Sequence, residues 1–165
     1  MGILQEWYMQ ELEDSEEDKY HRPLCDELLF YHAVSAGDID FVRENCRQQR
    51  FAETDGVGRL SRDPVLNLKY HFVITAAMIA RLCRQSGMAL EQAFRMSDFY
   101  ILSLDNIHTV REVRDLHDEM VLDYAQKMRM VSGDYVGSKY INGCKEYIYA
   151  HLKERITVAQ LADAL

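Results

Sequence analysis

The stretch DPVLNLKYHFVITAAMIARLCRQSG, residues 63–87, decides the fold of this chain. Asp63 suits a helix N-cap, and Pro64 fits the first helical position, where the backbone N–H it lacks would have no partner. From there to about Ser86 the helix is apolar nearly all round, through Leu66, Phe72, Val73, Ile74, Ala76, Ala77, Ile79, Leu82 and Cys83, until Gly87 ends it. A helix with no polar face is expected at the centre of a set of packed helices. Its apolar run FVITAAMIA at 72–80 is far below the roughly 20 residues needed to span a bilayer, so no membrane partner is expected.

Outward from this segment the same periodicity recurs. Upstream, Leu24, Leu28, Tyr31 and Val34 follow Pro23 at helical spacing, and Gly37 stands where a left-handed cap closes the helix. Asp38 caps the next helix, with Ile39, Val42 and Cys46 on one face, so the pair reads as an αα-hairpin. The loop TDGVGRLSR at 54–62 separates this hairpin from the apolar helix. Downstream, a short helix through Leu90 and Phe94 is followed by a new helix opening at Ser97-Asp98 and covering Phe99, Ile101, Leu102 and Leu104. Thr109 caps a long helix to about Val131, with a stripe of Val110, Val113, Leu116, Met120, Tyr124 and Met128. No segment alternates as a strand does. The predicted fold is all-α: antiparallel helices and an αα-hairpin, followed by a partial helix-turn-helix.

Composition fits a soluble helical protein with one core and a fragment of a second: 165 residues, 48% hydrophobic, two prolines. The net charge of −8 is uneven, because residues 1–30 hold nine acids and two bases while the rest is nearly neutral. Residues 1–22 therefore read as a solvated acidic arm, disordered or frayed, with Trp7 and Tyr8 as the residues suited to a docking contact. An acidic chain binds nucleic acid poorly by itself, since phosphate neutralisation supplies most of that energy. Four cysteines stand far apart with no CxxC pair, three of them within apolar helical patterns, as buried free thiols in a reducing cytoplasm would be. The N-terminus lacks the basic flank and apolar run of a signal peptide, and the expected location is cytoplasmic.

The helical body spans 23–131, and SGDYVGS at 132–138, with two glycines and two serines, is the one expected linker. The segment 139–165 follows it. There Ile141, Cys144, Ile148 and Leu152 form one face of an amphipathic helix, and Ile156 precedes Thr157. Thr157 and Gln160 have the T-x-x-Q spacing of a capping box, with Ile156 and Leu161 placed for a hydrophobic staple. Leu161, Ala162 and Leu165 have the order seen in the second helix of many helix-turn-helix units, where the small Ala162 lets a recognition helix cross closely. A short capped amphipathic helix of no special function has the same pattern.

These residues resemble the AraC family of bacterial transcription regulators, in which a segment like 140–155 forms the opening helix of the DNA-binding domain and one like 156–165 the next. The resemblance covers the last quarter of the chain. It implies that the recognition helix and a second helix-turn-helix lie beyond Leu165, so the chain is expected to be the regulatory part of such a protein. Better-known members carry a β-barrel sensor, whereas this N-terminal region reads as helical, so no sugar-binding residue carries over. It resembles the helical regulatory region of some Gram-positive members, with counterparts in NLKY at 67–70, Arg81 with Gly87, and AFRMSDFYI at 93–101. The expected function is thus a regulatory and dimerisation domain (23–131) controlling transcription through an attached DNA-binding domain. The implied partners are a second copy of the chain, DNA only through that further domain, and a small-molecule or protein effector the sequence does not identify.

Two other readings compete: a helical protein-interaction module with no DNA partner, and a metal phosphohydrolase of the all-helical His-Asp type. For the latter, His117-Asp118 with His71 and Asp123 or Asp134 would hold a divalent ion that activates water. The spacing is unpersuasive, and His117 beside Val113 and Met120 reads more simply as a histidine buried at the core's edge. No phosphate loop, nucleophile elbow or H-E-x-x-H motif is present, nor is Cys83 with the distant His71 evidence of a nucleophile. No catalytic residue, cofactor or metal is therefore expected. Arg81 and Arg84 either project from the edge of the helices, pair with Asp98, or line an effector pocket with Tyr100. The Ser97-Asp98 helix start is expected to act as a cap, since Asp98 would repel an anion held there.

Overall fold

The computed structural model describes residues 2–16, 21–53, 56–150 and 156–163, with backbone alone over most of 132–150. It is all-α, with no strand among the described residues. The helices are α1 (Ile3–Glu16), α2 (Leu24–Ala36), α3 (Ile39–Arg47), α4 (Pro64–Gln85), α5 (Leu90–Ser103), α6 (Val110–Ala150) and α7 (Val158–Asp163), with 3-10 turns at Arg50–Ala52 and Leu104–Asn106.

Local chemistry sets most of these boundaries. Asp38 accepts from Phe41 N and Asp63 from Leu66 N, each satisfying an N–H that the first turn leaves unpaired. Thr109 Oγ1 accepts from Glu112 N, and the Glu112 carboxylate accepts in return from His108 N and Thr109 N. The Thr109 hydroxyl also donates to this carboxylate, and that bond first, with the His108 N–H second, holds the Glu112 carboxyl below the usual carboxylate range. Gly37 closes α2 at φ 74°, and its N–H bonds back to Val34 O.

α2, α4 and α6 pack against one another, α3 lies on α2 and α6, and α5 lies on α4. Lys69 Nζ, near the start of α4, donates to Leu104 O at the far end of α5 (2.6 Å), so these two run in opposite directions. The core is Tyr31 and Val34 of α2, Val42 of α3, Phe72, Ile79 and Cys83 of α4, and Val113, Met120, Tyr124 and Met128 of α6. Burying each of these large side chains contributes about 1.5–3 kcal/mol relative to exposure.

Several elements depart from the expectations above. The acidic arm is helical over Ile3–Glu16, because Leu4, Tyr8 and Leu12 recur at helical spacing, yet its apolar side chains are exposed, Trp7 at 56%. α4 is buried on one side only: Phe72, Ala76, Ile79, Ala80 and Cys83 are wholly enclosed, whereas Leu66, Tyr70, Val73 and Ile74 face outward. By length and composition α4 could cross a membrane, but its buried face is the core of the packed helices. Ser97-Asp98 does not begin a helix. α5 continues through it because Ala93, Ser97, Tyr100 and Leu104 form one unbroken buried stripe. Nor is α6 interrupted at 132–138; a helical glycine costs only about 1 kcal/mol relative to alanine, which does not compel a break.

Candidate ligand-binding cleft

A cleft of about 1080 Å³ opens between α2, α4, the Arg50–Ala52 turn and the loop that follows it. Its floor is polar and buried. Tyr31 Oη donates to Glu27 Oε1 at 2.5 Å, Thr75 borders the same oxygen, and His117 of α6 closes the base. Burial, reinforced by the Glu27 carboxylate, pushes the Tyr31 hydroxyl far above the ordinary tyrosine range, so it remains a donor.

His117 is only 2% exposed. Its ring lies face to face with Phe51 (centroids 3.7 Å apart, planes within 4°), with Phe30 at 6.1 Å and Phe72 edge-on at 6.5 Å. Nδ1 donates to Asp118 Oδ1 at 3.1 Å, since a carboxylate can only accept, which leaves Nε2 as the lone-pair nitrogen of the neutral ring. Among the described residues Nε2 has no hydrogen-bond partner. Burial holds the ring below the ordinary histidine range, and the Asp118 bond opposes this only in part. Asp118 also lies against the Cys46 thiol, which burial first and that carboxylate second push up to about 12.

The rim is set by backbone geometry. Gly56 (φ 67°) accepts from Arg22 N through its carbonyl at 2.9 Å, and a Cβ there would lie 2.6 Å from Arg22 Cγ. Gly58 O accepts from His71 Nε2 at 2.8 Å, tying the loop to α4. Arg22 pairs with Glu53 at 3.0 Å, and Arg50 Nε donates to Gln48 Oε1 at 2.9 Å. Asp26 and Glu27 stand on the α2 side of the opening.

The residues singled out from sequence do not gather here. Arg81 is exposed, bonded to Ala77 O at 2.8 Å and 5.8 Å over the Phe94 ring, and Arg84 is exposed beyond it. Ser97 is buried within α5 while its neighbour Asp98 faces outward, and Tyr100 donates to Asp123 at 3.2 Å. None of the five lines the cleft. Arg81 and Arg84 project from the edge of the helices, one of the arrangements expected for them, whereas the expected helix start at Ser97-Asp98 is corrected: α5 passes through 97–98 without a break. The set weighed for a metal is not assembled either. Asp123 bonds Tyr100 and Lys127, His71 bonds Gly58, and no three His, Cys, Asp or Glu side chains among the described residues group to hold an ion. Asp134 lies outside the described side chains.

At the C-terminal end the capping box is formed: Thr157 N donates to Gln160 Oε1 at 2.9 Å and Gln160 N to Thr157 Oγ1 at 3.3 Å. Ile156 and Leu161 are half-buried and Ala162 is exposed. The Ile148 side chain and Leu165 lie outside the described residues. Of the cysteines described, Cys83 is buried, Cys46 half-buried and Cys25 exposed, all as free thiols. No protein family, curated protein or solved structure matches the chain.

Proposed function

We propose that this chain is the regulatory and dimerisation region of an AraC-like transcription regulator, with the cleft as its effector site and a helix-turn-helix domain opening at its C-terminal end. The observation that carries this reading is the reciprocal Thr157–Gln160 cap at the start of α7. It follows an unbroken α6 that begins in the core and extends to Ala150. One helix would then connect the floor of the cleft, through His117, with the segment that resembles the DNA-binding domain. The effector would change output only by binding two arrangements of the chain unequally.

Dimerisation has suitable chemistry on two exposed faces. α1 carries the exposed Glu6, Glu11 and Glu13, with no base in the helix, beside the exposed Leu4, Trp7, Tyr8 and Leu12. α4 carries the exposed Arg81 and Arg84 with no acid in the helix, beside the exposed Leu66, Tyr70 and Val73. An acidic apolar helix from one copy on the basic apolar face of another would bury both and match their charges.

The test is to fuse the chain ahead of a DNA-binding domain that represses a reporter only as a dimer. Repression is expected, weakened by the paired change Trp7→Ala and Tyr8→Ala. A chain that stays monomeric in sedimentation at high micromolar concentration and gives no repression would refute the reading. The exposed Trp7 and Tyr8 favour the second reading, an interaction module with no DNA partner. That reading predicts the same self-association with no effect of cleft mutations on the reporter.

A further inference from the structure

The floor of the cleft holds a buried acceptor that no described residue uses. His117 Nε2 is enclosed with a side chain 2% exposed and, among the described residues, accepts nothing. An unsatisfied buried polar atom is costly, and native structures rarely keep one without a ligand or ordered water to meet it. Phe51 and Phe30 fix the ring in place, so Nε2 presents a preset geometry instead of rotating to find a partner.

The rest of the cleft says what kind of donor fits. Glu53 is taken up by Arg22, and Arg50 is turned toward Gln48. Glu27 receives one hydrogen bond from Tyr31 and keeps further lone pairs, and Asp26 stands beside it on the rim. The capacity left at the floor and on the α2 side is therefore that of acceptors, two of them carboxylates, flanked by aromatic rings. A carboxylate or phosphate ligand would meet like charge at Asp26 and Glu27 and a lone pair at Nε2. A cation with N–H donors meets all three favourably, and aromatic faces attract it as well.

We propose that the cleft binds an organic amine, its ammonium group held by His117 Nε2 and the Glu27 and Asp26 carboxylates and its apolar body set against Phe30 and Phe51. The cleft alone carries this proposal. A reporter that responds to dimerisation while the cleft binds no amine would sink the ligand and leave the regulator reading standing.

Calorimetric titration of the whole chain tests it with probes that differ in one group. Tyramine and spermidine supply the ammonium; tyrosol replaces tyramine's amine with a hydroxyl, and 3-(4-hydroxyphenyl)propionate replaces it with a carboxylate. At least one amine should bind, tyrosol should be at least about tenfold weaker than tyramine, and the carboxylate should give no heat. Amine binding should shift the Nε2 resonance of His117 in nitrogen-15 spectra. His117→Phe keeps the ring stack and removes the acceptor, and Glu27→Gln removes an exposed rim charge while keeping an oxygen that can accept from Tyr31. Each should weaken the amine at least about tenfold with the helical circular-dichroism spectrum retained. Silence from both amines, a carboxylate probe that binds as tightly as tyramine, or full affinity in Glu27→Gln would each overturn the proposal.

Discussion

Replacing Gly37 by alanine should be among the most damaging single-methyl changes this chain can suffer. Gly37 sits at φ 74°, a conformation that costs an L-residue roughly 1–2 kcal/mol. The added Cβ would also lie 2.6 Å from Arg129 N and 2.7 Å from Arg129 Cα, both backbone atoms of α6. Neither can swing aside like a flexible side chain, so the α2–α3 turn would have to lift off α6, at about 1–3 kcal/mol for forced overpacking. Against this, alanine loses less entropy on folding than glycine, a gain of about 0.4–1 kcal/mol. The net expectation is a loss of about 1–4.5 kcal/mol, a large share of the roughly 5–15 kcal/mol that holds a typical domain together. Urea unfolding followed at 222 nm would read it, and heating should show a melting temperature lower by about 2–4 °C for each kcal/mol lost. Gly37→Asn separates the two causes, because asparagine tolerates positive φ but still carries the Cβ. It should recover part of the loss but not all. If Gly37→Ala unfolds within about 0.5 kcal/mol of the parent, the close approach of α6 to this turn is wrong.

Two further predictions follow from buried titratable groups. His117 is neutral in the folded chain and titrates below its ordinary value, so the unfolded chain takes up more protons once pH falls below about 6.5. Its contribution to stability is complete above that pH and is lost as pH falls toward the folded value, at up to about 1.4 kcal/mol per pH unit. His117→Phe should flatten that part of the profile; an unchanged slope would show that other groups cause it. Among thiols, burial pushes Cys83 up to about 12, and burial with the Asp118 carboxylate does the same for Cys46. In a Cys144→Ser background, iodoacetamide at neutral pH should modify the exposed Cys25 quickly and the other two only as fast as the chain opens. Equal rates at all three, read by peptide mass spectrometry, would contradict their burial.

Features governed by neighbours in sequence were legible before folding. Asp38, Asp63 and Thr109 cap helices, and Gly37 closes one, because a cap needs only a side chain and an N–H two or three residues away. The same rule misled at Ser97-Asp98, where a good cap sequence lies within α5; the buried stripe from Ala93 to Leu104 outweighs the local preference. The glycines of 132–138 misled similarly, since a composition that permits a break does not enforce one. His117 could be placed at the edge of the core from its neighbours Val113 and Met120. The cleft around it could not be anticipated. Its walls come from segments near residues 21–31, 45–53, 56–58, 71–75 and 117, and no periodicity links them.

The way the cleft is built also limits how an occupant could act on the rest of the chain. Turning α6 about its axis would expose Val113, Met120, Tyr124 and Met128, all fully buried, at about 1.5–3 kcal/mol each. No hydrogen bond to Nε2 supplies that much. The opposite wall is far less anchored: α3 buries only Val42, and the Arg50–Ala52 turn buries no residue fully. Elements with so few buried contacts open at low cost, so a ligand that bridges His117 to this wall would act chiefly by ordering it. Phe51 and the Gln49–Arg114 bond (3.0 Å) then connect the ordered wall to the first turns of α6. In the proposed regulator, the effector would therefore work by fixing α3 and the Arg50–Ala52 turn onto the start of the long helix. Severing that connection with Arg114→Ala should leave amine binding nearly intact while reducing its effect on the reporter.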